Sequence, residues 1–162
     1  MGKSSEGTPA DSLIEEIKKM QEENERILRE LRGMGKDEGL NELGEYLLGN
    51  EAFKALPYLL EKDYNIKVEG RFKRCYLADR NQREVMVGVY GEGTRYGRKV
   101  VIIGEVKMRL SKKDVAAFVR KLRRFEGIYG EVFPLLIAHK SEPDAEDYAR
   151  AKGIALYHSY EF

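Results

Sequence analysis

Residues Lys99 to Lys107, K-V-V-I-I-G-E-V-K, constrain the fold more than any other stretch of this chain. Val100 to Ile103 are four consecutive β-branched residues, stiff at χ1 and too apolar to leave in water, so they predict a buried strand. Glu105 and Lys107 follow, two residues apart. A strand sends i and i+2 to one face, which sets a carboxylate beside an ammonium and turns Val106 the other way, into the packing. Charges that end so apolar a strand are costly unless they have a task or meet a wet cleft.

The 162 residues leave room for one ordinary domain with an appendage. The 29 basic and 28 acidic side chains almost cancel, but they are not evenly spread: residues 67–124 carry a net +11, whereas 1–39 carry −3 and 125–162 carry −4. Any one lysine of the basic block reads as part of a solvated face. The block as a whole favours a polyanion through counterion release, and DNA is the expected partner. Tyr76, Tyr90 and Tyr96 lie within it, placed either to stack on bases or to cover a sheet with one wet edge. Cys75 is the single cysteine, which excludes an internal disulfide and every Cys-cluster zinc site. No apolar run is long enough to span a membrane. The small, polar stretch Met1 to Asp11 carries no secretory signal, so the expected location is cytoplasmic.

Thr8-Pro9 reads as a helix start, and Ser12 with Glu15 as a capping box slightly later. A heptad follows, with Ala10, Ile17, Asn24 and Leu31 at a, and Leu13, Met20, Ile27 and Met34 at d. One asparagine among apolar a positions fixes register in parallel dimers, while Ile14 and Leu28 at e widen the stripe. Residues 1–36 are therefore expected to be a coiled-coil helix that forms a homodimer, with packing on the chain's own domain or a higher-order bundle as the alternatives, and Gly33, Gly35 and Gly39 as a hinge. Leu40 to Tyr64 reads as helical with an apolar face of leucines, broken at Gly49-Asn50 so that Asn50 caps a new helix at Glu51 and Pro57 crowds it. Strands are predicted at Ile66 to Leu77, with Ile66, Val68, Phe72 and Tyr76 inward, and at Glu84 to Tyr90, with Gly91-Glu92-Gly93 and Tyr96-Gly97 in the next loop. Ser111 and Asp114 form a capping box for a helix to about Glu126. Its core face is Val115, Phe118, Val119, Leu122 and Phe125, and Lys113, Arg120, Lys121, Arg123 and Arg124 cover the rest. Val132 to His139 is a buried strand, Pro143 opens a helix that ends at Gly153, and Ile154 to Tyr157 is the last strand. His139 and His158 read as polar strand ends, and Cys75 as packing. Helix, three strands, helix, strand, helix, strand describes an α/β fold on a mixed central sheet.

That order, with G-E-V-K closing the third strand, resembles the PD-(D/E)XK nuclease superfamily over about residues 50–160, within the boundary error of such readings. It looks closest to a small nuclease-like branch with an N-terminal coiled coil. The resemblance implies a restriction-endonuclease-like core within residues 40–162. It also implies Mg²⁺-dependent phosphodiester hydrolysis, in which an acid on the second strand and the acid of E-x-K bind the metal, the lysine activates water, and a helix glutamate completes the site. Matched residue by residue, Glu105 is a metal ligand and Lys107 the water activator, with Glu51 as the helix acid. Lys112, Lys113, Arg120 and Arg124 are the expected DNA contacts. The second-strand acid is missing: the run V-Y-G-E-G puts Gly88 at its position, and a register two residues earlier puts Met86 there. Glu84 shares that face but lies roughly 13 Å along the strand from Gly88. The resemblance therefore implies an endonuclease-like protein with weak or absent Mg²⁺ binding and impaired or lost cleavage. The alternative is a non-catalytic dimeric module that binds nucleic acid or assembles with protein.

Overall fold

The computed structural model describes residues 9–32 and 36–162. Its elements in chain order are helices α1 (Pro9–Arg32) and α2 (Lys36–Tyr64), strands β1 (Ile66–Ala78), β2 (Glu84–Arg95) and β3 (Arg98–Leu110), helix α3 (Lys112–Arg123), strand β4 (Val132–Ser141), helix α4 (Pro143–Ala151) and strand β5 (Ala155–His158). A 3-10 turn, Ser159–Glu161, follows. The chain divides into two compact units, Met1–Leu43 and Gly44–Phe162, with the division falling inside α2. Thr8, Gly33, Met34 and Gly35, which the sequence reading used for a cap, a hinge and a heptad position, lie outside the described residues.

In the first unit, α1 carries its apolar stripe in the open: Leu13, Ile14, Ile17, Met20 and Ile27 are all exposed. The second unit is built on a five-stranded sheet in the order β1-β2-β3-β4-β5. The first three strands are antiparallel neighbours, and β3-β4 and β4-β5 are parallel. This is the mixed sheet that strands alternating with helices lead one to expect, since each parallel step needs a helical crossover.

The strands bury both faces, which separates two cores. On one face Leu48, Ala52, Leu56 and Leu60 of α2 pack on Val89, Val100, Ile102, Val106, Leu135 and Ile137. On the other, Val115 and Phe118 of α3 and Ala145 and Ala149 of α4 pack on Val85, Val87, Val101, Ile103 and Leu136. From Val100 to Val106 the even-numbered β3 residues thus face α2 and the odd-numbered ones face α3, so Val106 packs away from Glu105 and Lys107 as the period of two requires, before Leu110 at the strand end joins the α3 side. Gly104 lies tight against the neighbouring strand β4, because any Cβ there would collide with the carbonyl oxygen of its partner Leu135.

Four expectations are corrected. Helix α2 runs unbroken through Gly49-Asn50. Glycine serves close packing there, since a Cβ on Gly49 would come within 2.5 Å of Arg74 Nη2, and Asn50 spends its side chain accepting a hydrogen bond from Arg74 Nη1 at 3.1 Å rather than capping a helix. Gly39 lies within α2 instead of forming a hinge. The hairpin between β2 and β3 turns only at Tyr96-Gly97, so Gly91-Glu92-Gly93 is strand, with Gly91 backing the Phe72 ring and Gly93 the Lys67 carbonyl. Tyr76 points outward and is exposed, because β1 shifts register on either side of Lys73 and the simple alternation breaks.

Candidate active site

The register of β2 on β3 ends at Val89 opposite Gly104. One residue further lies Gly88, beside Glu105: an ideal Cβ built on Gly88 would be 3.1 Å from Glu105 Oε2. Gly88 owes this aim to a bulge. Lys73 pairs with Tyr90 but Cys75 with Val87, so one extra β2 residue is accommodated between them. Strict alternation fails there, with Val85 and Val87 in the α3-side core and Val89 in the α2-side core. Bulges of this kind commonly re-aim side chains next to active sites. Met86, the other register considered, is exposed, and it contributes its backbone carbonyl.

Glu105 and Lys107 line a cleft of about 110 Å³ with Leu110, Asp114, Ala117, Phe118, Lys121 and Leu136. Glu105 is mostly enclosed, and its Oε1 is held in an ion pair by Lys121 Nζ. The same ammonium donates to the Met86 carbonyl at 3.0 Å, so Lys121 ties α3 to the β2 backbone and to the Glu105 side chain of β3 at the level of Gly88. Asp114 is committed to the N-terminus of α3. Its Oδ2 accepts from the Ser111 amide and hydroxyl, both at 3.0 Å, while the Asp114 amide donates to Ser111 Oγ at 3.3 Å, which is the capping box anticipated from sequence.

The helix carboxylate that feels the charges of this group is Glu45, which does not line the cleft, rather than Glu51. Beyond Gly104, β3 has no β2 partner, and the Met108 amide would lack an acceptor; Glu45 Oε2 supplies one at 3.2 Å. Burial pushes the Glu45 carboxyl above its ordinary value, against the Met108 hydrogen bond and the attraction of Lys107, while Asp114 and Glu105 raise it further. Glu51 lies more than a turn further along α2, exposed and paired with Lys54 at 3.7 Å.

Of the expected DNA contacts, Lys113 and Arg120 are exposed and make no ion pair among the described residues. Lys112 rests 5.4 Å above the Tyr148 ring. Arg124 is engaged within the chain. Its Nε and Nη2 donate to Asp79 Oδ2 at 3.0 and 2.7 Å, and the buried Asp79 uses its other oxygen to accept from the Asn81 and Arg83 amides of the β1-β2 turn. Those backbone donors, led by Arg83 and joined by Arg124, hold the Asp79 carboxyl below its ordinary value. The histidines close strand ends: His139 Nδ1 meets Ser159 Oγ at 2.8 Å, and His158 Nε2 meets Ser141 Oγ at 2.7 Å. Cys75 is partly buried against the α3-side core, which raises its thiol pKa.

The donors do not make a magnesium site. Mg²⁺ needs hard oxygens in near-octahedral array. Glu105 has one oxygen bound to an ammonium, Gly88 offers no side chain, and both Glu45 and Asp114 are spent on backbone amides. Among the described residues no three His, Cys, Asp or Glu side chains are grouped to hold a metal ion.

Sequence reasoning passed over Lys121 and Glu45, although both left a trace. Asp114, Phe118 and Lys121 are spaced i, i+4, i+7, one helical face that ends in an ammonium. Glu45, Leu48, Ala52 and Leu56 likewise share a face, so Glu45 is a carboxylate placed on an apolar stripe.

No protein-family profile matches the chain, and no curated protein matches it. Among solved structures the chain is similar to a repair endonuclease from Pyrococcus abyssi, with 22% identity and a TM-score of 0.42 over 67% of this chain and 46% of that one. It is similar to EndoMS in its apo form, at 16% identity and a TM-score of 0.39 over 65% and 45% of the two chains. A protein of unknown function gives 18% identity and a TM-score of 0.48 over 67% and 56%. The chain thus spans about half the length of these structures. Likeness at this level carries no argument about activity, which rests on the residues themselves.

Proposed function

We propose that this chain is a DNA-binding protein of nuclease descent that grips the phosphodiester backbone without cleaving it. In this reading the Lys121 ammonium supplies, at Glu105, the positive charge that a metal would otherwise bring. The observation that carries the reading is the aim of Gly88 at Glu105 Oε2, 3.1 Å from where a Cβ would stand. A carboxylate there would complete a two-acid pair, and glycine leaves Glu105 to Lys121 alone. Lys107, which has no ion pair within reach among the described residues, then serves with Lys113 and Arg120 as a phosphate contact, and binding weakens steeply with salt. The exposed stripe of α1, with Leu13, Ile17, Met20 and Ile27 at heptad positions, joins two copies, so that two such faces meet one duplex.

The test is nicking of supercoiled plasmid in Mg²⁺ or Mn²⁺ by the natural chain, by Gly88→Asp, and by Gly88→Asp with Lys107→Ala. The natural chain is expected to retain the plasmid at low salt and leave it intact, Gly88→Asp to nick it, and the double variant to lose the nicking. Metal-dependent cleavage by the natural chain that Lys107→Ala abolishes would overturn the non-cleaving reading. Absence of both DNA retention and metal binding in Gly88→Asp would remove the nuclease descent as well.

A further inference from the structure

At the other end of β3 lies a second, larger cleft of about 520 Å³, lined by Tyr64, Arg95, Tyr96, Arg98, Glu131 and Phe133 among others. Its volume falls within the range of small-ligand sites. Seven residues of strand separate Arg98 from Glu105, roughly 23 Å, so this cleft belongs to neither the Glu105 site nor its chemistry.

The cleft is unusual in how it holds positive charge. Arg95 and Arg98 are paired across the hairpin, which brings two guanidiniums to one tip. The Arg95 guanidinium lies 5.4 Å from the Tyr96 ring centre and 5.9 Å from that of Phe133. It is held by rings: among the described residues neither arginine makes an ion pair or a side-chain hydrogen bond, and Arg95 Nε is buried with no partner. An arginine fixed by stacking, with its planar fork unspent, suits an anion that arrives from outside. Glu131 is the one carboxylate in the lining, so the wall keeps a net positive charge. Tyr96 and Gly97, at the tip, both take positive φ, 52° and 77°, as a two-residue hairpin turn requires, and this turn sets Tyr96 in the lining of the cleft. Tyr96 is 70% exposed. Tyr64 stands against Phe133, edge to face at 4.9 Å, and completes an aromatic wall.

Open π faces beside unspent guanidiniums are the recognition chemistry of a planar base carrying a phosphate. We infer that this cleft binds a nucleotide unit, its base against Tyr96 and its phosphate on Arg95 and Arg98. The inference goes beyond the DNA-binding reading and does not depend on Gly88 or Glu105.

Two sources supply such a unit, a free mononucleotide and one residue of a single strand. Anisotropy of a short fluorescein-labelled oligothymidylate and calorimetric titration of adenosine 5′-monophosphate separate them. The full chain is compared with Arg95→Gln, with Tyr96→Gly (which suits the left-handed position and removes the ring) and with Lys113→Ala, and melting temperature reports folding. The expected result is that Arg95→Gln and Tyr96→Gly each weaken a nucleotide probe about tenfold at unchanged melting temperature, while Lys113→Ala weakens duplex binding and leaves that probe alone. Loss with the oligonucleotide alone assigns a single strand, and loss with the monophosphate assigns a free nucleotide. If neither probe binds, or if both variants bind like the natural chain, the inference is overturned. A variant that melts early is replaced by Arg98→Gln, which is read in the same way.

Discussion

Lys121 is the residue on which the Glu105 site turns, because it neutralises a carboxylate that is otherwise mostly enclosed and bound to nothing else. Removing the ammonium leaves a charge facing a small cleft. Lys121→Met is therefore expected to destabilise the protein by about 1–2 kcal/mol, with partial solvent access keeping the loss below that of a fully buried pair. Lys107→Met is expected to change stability by less than about 0.5 kcal/mol, as substitutions of unpaired groups usually do. Urea unfolding of the two variants measures both. Gly88→Asp sets a second carboxylate against the first. It should lower the melting temperature in chelator and recover it in Mn²⁺, an ion that the natural chain should ignore. Glu45 gives a pH signature. Its carboxyl is raised in the folded state by burial, so folding favours the protonated form and stability falls as pH rises from the unfolded value through the folded one. Glu45→Gln keeps an acceptor for the Met108 amide and removes that penalty. The melting temperature of the variant relative to the natural chain is expected to be higher at pH 8 than at pH 4, and equal differences at both would refute the assignment.

At the scale of the element, the β1-β2 turn depends on Asp79, whose two oxygens collect two amides and a guanidinium. Its carboxyl is depressed, so its contribution is present above the ordinary value of 3.8 and is lost as pH falls through the lower folded value. Asp79→Asn is thus expected to melt several degrees lower at neutral pH, with the gap closing below about pH 4. The elements themselves were legible where one local rule decided them: four β-branched residues for β3, Ser111 with Asp114 for the start of α3, Pro143 for α4. They were illegible where tertiary contact overrode the local rule. Gly49-Asn50 reads as a helix stop until Arg74 is seen to need both the space and the amide. The Gly91-Glu92-Gly93 run reads as a loop until Phe72 and Lys67 are found lying against those glycines. Glu105 and Lys107 could be placed on one face from strand period alone, whereas the position of the missing acid came only through the resemblance, because the bulge breaks the alternation of β2 there. Glu45 could not, because only the end of the β2 ladder at Gly104 explains why a carboxylate must reach the Met108 amide.

For the molecule as a whole, charge and stripe divide the work. No helix among the described residues is long and apolar enough to cross a membrane; the exposed apolar row on α1 is the seam through which the proposed dimer would form. Met20→Glu together with Leu13→Glu puts like charges into that seam and is expected to convert a dimer to a monomer in sedimentation velocity, without changing the melting of the second unit. DNA retention should fall with it, because two linked faces hold one duplex far better than one does.

The glycines of β2 and β3 are not equivalent in what can replace them. Gly91, Gly93 and Gly104 are walled in by a ring or a peptide oxygen, whereas Gly88 looks onto the movable end of one side chain and has an ordinary backbone. Every glycine codon becomes an aspartate or glutamate codon by a single transition at its middle base. On the reading proposed above, a lineage carrying this chain stands one point mutation from an acid at this position, a step that asks the Glu105 carboxylate to give by a few tenths of an ångström.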